Sequence, residues 1–101
     1  MIQMEPQHYK IVIDILKKYP YQFFVFGSRV KNKARKFSDL DLCYKEAIPK
    51  LIVGDIAEAF EESNLPFKVD LVNWENCSED FRQLIEKDLV PLEFNENNNV
   101  V

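Results

Sequence analysis

Apolar residues recur at helical spacing over residues 8 to 19, where Tyr9, Val12, Ile13 and Leu16 fall on one stripe and Lys10, Asp14, Lys17 and Lys18 lie off it. That period predicts an amphipathic helix, and Pro20 stops it because proline has no amide to donate. Residues 21 to 26 (Tyr-Gln-Phe-Phe-Val-Phe) are apolar and aromatic and predict a short buried strand. Gly27-Ser28 then opens a turn into a short basic helix near Arg29 to Lys33. Over residues 39 to 45 the period changes to two, with Asp39, Asp41 and Cys43 alternating with Leu40, Leu42 and Tyr44, which predicts a second strand. Ile52, Ile56, Ala59 and Phe60 return to helical spacing over residues 49 to 63, with Pro49 suited to the first turn and Asn64 to the exit. Residues 67 to 73 predict a third strand. Ser78 reads as the N-cap of a helix running to about Lys87, with Glu79 and Asp80 at its positive end. Pro91 is expected to end regular structure, and the Asn-rich residues 95 to 101 to fray.

Helix, strand, short helix, strand, helix, strand, helix, with short connections, predicts an α+β (mixed α/β) fold. The expectation is a small mixed sheet with helices packed on one face, leaving the other face for a site. With 101 residues the chain suits one domain, assigned to residues 1–94, with no room for a second catalytic or substrate-binding unit. A hydrophobic fraction of 47% excludes a wholly disordered chain.

No apolar run approaches a membrane span, and the N-terminal residues lack a basic region followed by an apolar signal core. The expected compartment is the cytoplasm. Cys43 and Cys77 have no metal-ligand spacing and form no disulfide framework, so both read as reduced thiols, with Cys43 packed in a strand. A net charge of −4 argues against a general nucleic-acid binder, and no direct nucleic-acid contact is expected. That average hides a cluster. Arg29, Lys31, Lys33, Arg35 and Lys36 hold five of the thirteen Lys and Arg residues, with no acid among them. For Lys31, Lys33 and Lys36 a solvated loop is as good a reading as contact with phosphate or an acidic partner.

The chemistry lies in the acids around this cluster. On a strand, Asp39 and Asp41 point to one face while Leu40 and Leu42 enter the core on the other. Asp70, between Val69 and Leu71, repeats the pattern. If the two strands are neighbours in register, the three carboxylates gather. At ~4 Å and an effective dielectric of ~20 each pair of charges would repel by ~4 kcal/mol, so either a proton or a hard cation must offset them. Mg²⁺ suits such a site because it takes a few carboxylates and completes its shell with water and phosphate oxygens. Gly27-Ser28, where a strand meets a helical turn, supplies a complementary anion cradle: glycine permits close backbone approach, and the amides and the Ser28 hydroxyl can donate. Only two glycines occur in the chain, which adds weight to Gly27.

The run Phe26-Gly27-Ser28-Arg29, Ala34-Arg35 and Ser38-Asp39-Leu40-Asp41-Leu42 resembles the signature of the DNA polymerase beta-type nucleotidyltransferase superfamily. The nearer resemblance is to its minimal nucleotidyltransferase (MNT) members, extended by Val69-Asp70-Leu71-Val72-Asn73-Trp74 and by Ser78-Glu79-Asp80-Phe81-Arg82 and Ile85. It covers roughly residues 8 to 92. The resemblance implies a polymerase beta palm-like fold and a nucleotidyltransferase using two Mg²⁺ ions. Its implied role is that of an antitoxin that transfers AMP from ATP to a tyrosine of a HEPN-domain RNase toxin. By position, Asp39 and Asp41 would bind both metals, and Asp70 would ligate the catalytic metal and help deprotonate the acceptor hydroxyl. Gly27 and Ser28 would hold the β- and γ-phosphates, Arg29 would contact phosphate, and Ser38 would support the acidic strand. Many members have glycine where this chain has Asn32, a residue that tolerates the left-handed conformation.

Small size adds that a toxin partner or a homodimer must complete the site, which favours a macromolecular acceptor. Two alternatives stay open at this point: an antitoxin that acts by complex formation alone, and a nucleotidyltransferase with a small-molecule acceptor.

Overall fold

The structure, a computed structural model, describes residues 2–93. The stretch expected to fray lies outside the described residues. Helix α1 (Pro6–Leu16) begins earlier than its apolar stripe suggests, because Pro6 occupies the first turn, where a missing amide costs nothing. The carbonyl of Glu5 accepts from the amides of His8 and Tyr9. Strand β1 (Phe23–Phe26) leads into a 3-10 turn (Gly27–Arg29), then β2 (Leu40–Tyr44), α2 (Lys50–Glu61) and β3 (Val69–Asn73). A second 3-10 turn (Trp74–Asn76), α3 (Glu79–Glu86) and a two-residue strand β4 (Val90–Pro91) complete the described order. Ser78 caps α3 as expected, its Oγ accepting from the Phe81 amide at 3.2 Å.

The sheet is mixed, in the order β3-β2-β1-β4. β1 lies antiparallel to β2 and β4, whereas β2 and β3 are parallel and are joined through α2. On one face Phe23, Val25, Leu40 and Leu42 meet Val12 and Leu16 of α1 and Ile56 and Phe60 of α2. Each fully buried aliphatic side chain here contributes about 1.5–3 kcal/mol.

The sequence expectations need two corrections and one addition. The short basic helix near Arg29 to Lys33 is absent. The amides of Lys31 and Lys33 both bond back to the carbonyl of Ser28, and Asn32 stands at φ +58°, so the chain turns and does not wind on. Regular structure ends at Pro91 among the described residues, but in a strand the sequence did not predict: Pro91 sits in β4 opposite Phe24, on the outermost strand there, where a missing amide is tolerated. The helices do not all share one face. Ile85 of α3 packs with Phe26 and Cys43, which point away from the α1/α2 core, so the second face is half covered.

Gly54 lies in the middle of α2, and a Cβ added there would meet no atom within 4 Å. Gly54→Ala should therefore raise the unfolding free energy by about 0.5–1 kcal/mol, read as a higher urea midpoint at unchanged slope.

Candidate active site

β2 and β3 pair with Leu40 opposite Val69, Asp41 opposite Asp70 and Leu42 opposite Leu71. The leucines and valine hold this register from the helix face. Asp41 and Asp70 are thereby forced side by side on the other face. Asp39 lies one residue before β2, at the same parity. Asp41 is half-buried, whereas Asp39 and Asp70 are exposed. Burial is the main cause that pushes the Asp41 carboxyl above the usual carboxylate range, followed by the charge of Asp70 and then that of Asp39. All three acids therefore interact electrostatically, with Asp41 at the centre.

Phe26 pairs with Asp41 across β1 and β2, so the next residue, Gly27, falls against the same carboxylate. Gly27 adopts φ +83°, and a Cβ there would lie 2.5 Å from Asp41 Oδ2. Two demands thus select glycine, the left-handed backbone and the absence of room. The first residues of a helical turn have no intrahelical acceptor for their amides, so the Gly27–Arg29 turn offers donors beside the acidic face. Ser28 is half-buried in this turn.

Arg29 departs from the expected phosphate contact. It is 4% exposed. Its Nε and Nη2 donate to the carbonyl of Ser38 at 3.1 and 2.6 Å, and Nη1 donates to the carbonyl of Gln3 at 2.8 Å. The guanidinium also sits 4.1 Å above the Phe67 ring. Burial lowers its pKa and the charge of Asp39 opposes that shift. This cation braces the loop leading into β2. Ser38 completes the brace, its Oγ accepting from the Arg35 amide at 2.8 Å and its own amide donating to the Arg35 carbonyl.

Gln3 carries no sequence signal, yet it ties the N-terminal segment to this loop. Its amide donates to the Arg29 carbonyl, and its side chain both donates to and accepts from the Ala34 backbone. Of the basic cluster, Lys31 pairs with Asp88 at 3.7 Å, while Lys33, Arg35 and Lys36 are exposed. Trp74 lies beneath Lys45 Nζ at 4.6 Å, and Arg82 Nε donates to the Trp74 carbonyl at 2.9 Å, so this aromatic helps lock β3 to α3.

Among the described residues, no three His, Cys, Asp or Glu side chains form a ready cage for a metal ion. The donor chemistry nevertheless fits a hard divalent cation. Such an ion needs only one or two carboxylates when substrate phosphates and water fill the rest of its shell, and it would offset the burial and, after it, the neighbouring charges that raise the Asp41 pKa.

A mixed sheet with α1 and α2 on one face, and with paired acids beside a glycine-led turn on the other, defines a nucleotidyltransferase-type domain. The family described as "Polymerase beta, Nucleotidyltransferase" matches residues 10–96. The chain is 43% identical over 90 residues to a protein of Haemophilus influenzae named "Probable protein adenylyltransferase MntA", covering 85% of this chain and 79% of that one. It therefore belongs to the polymerase beta nucleotidyltransferase family, among the minimal nucleotidyltransferases. The same fold occurs in a crystal structure described as a toxin-antitoxin with AMP-PNP, at a TM-score of 0.63 and 20% identity over 87% of this chain and 74% of that one.

Gly27→Ala should abolish nucleotidyl transfer and lower stability by about 1–2 kcal/mol, because the added carbon strains the backbone and displaces the Asp41 carboxylate. Activity assay and urea denaturation check the two effects separately. A raised folded-state pKa means that the contribution of Asp41 to stability is complete below the ordinary carboxylate range and is lost as pH rises through the raised value. In chelator-treated buffer, Asp41→Asn should therefore melt higher than the unsubstituted protein at neutral pH, and the gap should close towards about pH 4.

Proposed function

We propose that the chain is a Mg²⁺-dependent adenylyltransferase that acts as an antitoxin, moving AMP from ATP to a tyrosine of a cognate HEPN-domain RNase toxin. The observation that carries this reading is the register of Asp41 against Asp70 beside a glycine that touches the Asp41 carboxylate. A pure binding module has no need to crowd acids in this way. The relative's name, a probable protein adenylyltransferase, and the toxin-antitoxin assembly with an ATP analogue support the acceptor class and the nucleotide. Two free cysteines, and the absence among the described residues of any helix long and apolar enough to cross a membrane, agree with a cytoplasmic setting.

In this reading Asp39, Asp41 and Asp70 would hold the metal ions. Bound ions would neutralise the triphosphate and favour ionisation of the attacking hydroxyl. The Gly27–Arg29 amides and the Ser28 hydroxyl orient the β- and γ-phosphates, and Ser38 and Arg29 keep the acidic strand in place from behind. Asp70 takes the acceptor's proton as its oxygen forms a bond to the α-phosphorus. The bond from that phosphorus to the bridging oxygen breaks, and pyrophosphate leaves towards Gly27 and Ser28.

Antitoxin action by complex formation alone is the second reading, favoured by the lack of a preformed three-ligand cage among the described residues. Incubation with the HEPN protein, Mg²⁺ and ATP separates the two. Under the enzymatic reading the partner gains the mass of AMP, and Asp39→Ala and Asp41→Ala abolish that gain. Asp70→Asn should depress transfer by at least about a hundredfold while leaving the affinity for ATP within about threefold, as expected for a group acting on the acceptor. Silencing of the toxin that persists in all three variants with no mass gain would leave complex formation as the mechanism.

A further inference from the structure

An acid outside the carboxylate centre reaches the glycine turn from α3. Asp88 lies just past that helix, two residues before β4, and its Oδ2 is 3.7 Å from Nζ of Lys31. Lys31 hangs from the turn itself. Its amide donates to the carbonyl of Ser28 at 3.3 Å, and the amides of Val30 and Lys33, on either side of it in the chain, donate to the carbonyls of Gly27 and Ser28. The pair therefore joins the end of α3 to the segment that offers donors beside the acidic face. A carboxylate in that place opposes an arriving anion, because like charges repel.

The contact is a weak one. At 3.7 Å the two groups stand beyond hydrogen-bond reach and are held by charge alone. Both side chains keep contact with water, at 41% for Lys31 and 30% for Asp88, and ion pairs of this kind contribute little. A triphosphate carries several negative charges where Asp88 carries one. Lysine suits an exchange between them, since its ammonium is a compact charge on a flexible stem with no fixed fork to break.

Position also separates Lys31 from its neighbours. Of the exposed cations after the turn, Lys31, Lys33, Arg35 and Lys36, Lys31 alone has an ion-pair partner among the described residues.

We propose that Asp88 is a positioning residue that competes with the nucleotide for Lys31. In the empty protein it holds the ammonium beside the Gly27–Arg29 turn, and it yields the ammonium to the phosphate chain when a nucleoside triphosphate binds. The inference rests on the nucleotidyl-transfer reading and adds to it a residue that sets how tightly the phosphate chain is held.

A double-mutant cycle on Lys31→Gln and Asp88→Asn tests the exchange. The readouts are equilibrium affinity for a fluorescent ATP analogue with Mg²⁺ and, by displacement, for inorganic tripolyphosphate, with circular dichroism and thermal melting to verify that each variant folds. Asp88→Asn alone should tighten both ligands about threefold, because the phosphate chain no longer displaces a carboxylate. Lys31→Gln alone should weaken both about fivefold. Added to Lys31→Gln, the substitution of Asp88 should change affinity by less than about 1.5-fold. An equal gain with and without Lys31 would overturn the proposal, because Asp88 would then act only as a distant charge. Unchanged or weaker binding in Asp88→Asn would overturn it too, as would an effect on the ATP analogue that tripolyphosphate does not share. An unsubstituted protein that binds neither ligand would instead bring down the nucleotide reading, and this inference with it.

Discussion

Everything at the site depends on the register of two parallel strands. On the helix face, Leu40 and Leu42 of β2 stand opposite Val69 and Leu71 of β3, packed against α1 and α2. A slip of one residue would send carboxylates into that core and leucines into water, so the apolar face sets the pairing strongly. The same pairing forces Asp41 and Asp70 together on the opposite face, where their charges oppose folding. Hydrophobic burial on one side of the sheet thus holds an electrostatically unfavourable arrangement on the other. Repulsion of this kind would be relieved when a cation and a phosphate chain arrive, which couples ligand binding to the stability of the sheet.

Arg29 shows how one buried cation can brace such a site. A buried guanidinium needs acceptors for its donors, and here they are backbone carbonyls from two distant segments, Gln3 and Ser38. With Phe67 beneath it, the cation joins the N-terminal residues, the loop after β1 and the residue before Asp39 into one unit. The glycine turn and the acidic strand are therefore positioned by the same side chain. Replacing it with lysine would lose the planar, forked donor set that reaches both carbonyls.

Much of this was legible in the residues. Alternating Asp and Leu over residues 39 to 45 carried both the strand and its two faces, and Asp70 between Val69 and Leu71 did the same. Scarcity of glycine pointed to Gly27, and the left-handed Asn32 agrees with the tolerance expected of asparagine. What was hidden has physical reasons. β4 has two residues, too few for any periodicity, and one of them is a proline. The stripe formed by Phe81, Ile85 and Leu89 on and just after α3 shows that this segment has an apolar side. Nothing in its spacing says which face of the sheet it covers. The direction of Arg29 depends on carbonyls of Gln3 and Ser38, which no local pattern can place beside it.

The half-covered second face has a consequence for the acids. Phe26 stands beside Asp41 in the β1/β2 register, and the ring of Phe81 packs edge-on against it at 6.0 Å. Ile85 and Cys43 extend the same small cluster under α3. Asp41 therefore borders apolar material on its own face, and burial exceeds either neighbouring charge as the cause of its raised pKa. Had all the helices packed on one side, as the element order suggested, that carboxylate would be better hydrated and its charge more screened. Partial cover by α3 makes the acid centre drier and more responsive to an approaching cation. Asp39 and Asp70 stay exposed at either side of it, accessible to ligands. One half-buried acid between two open ones is a way to combine strong electrostatics with access.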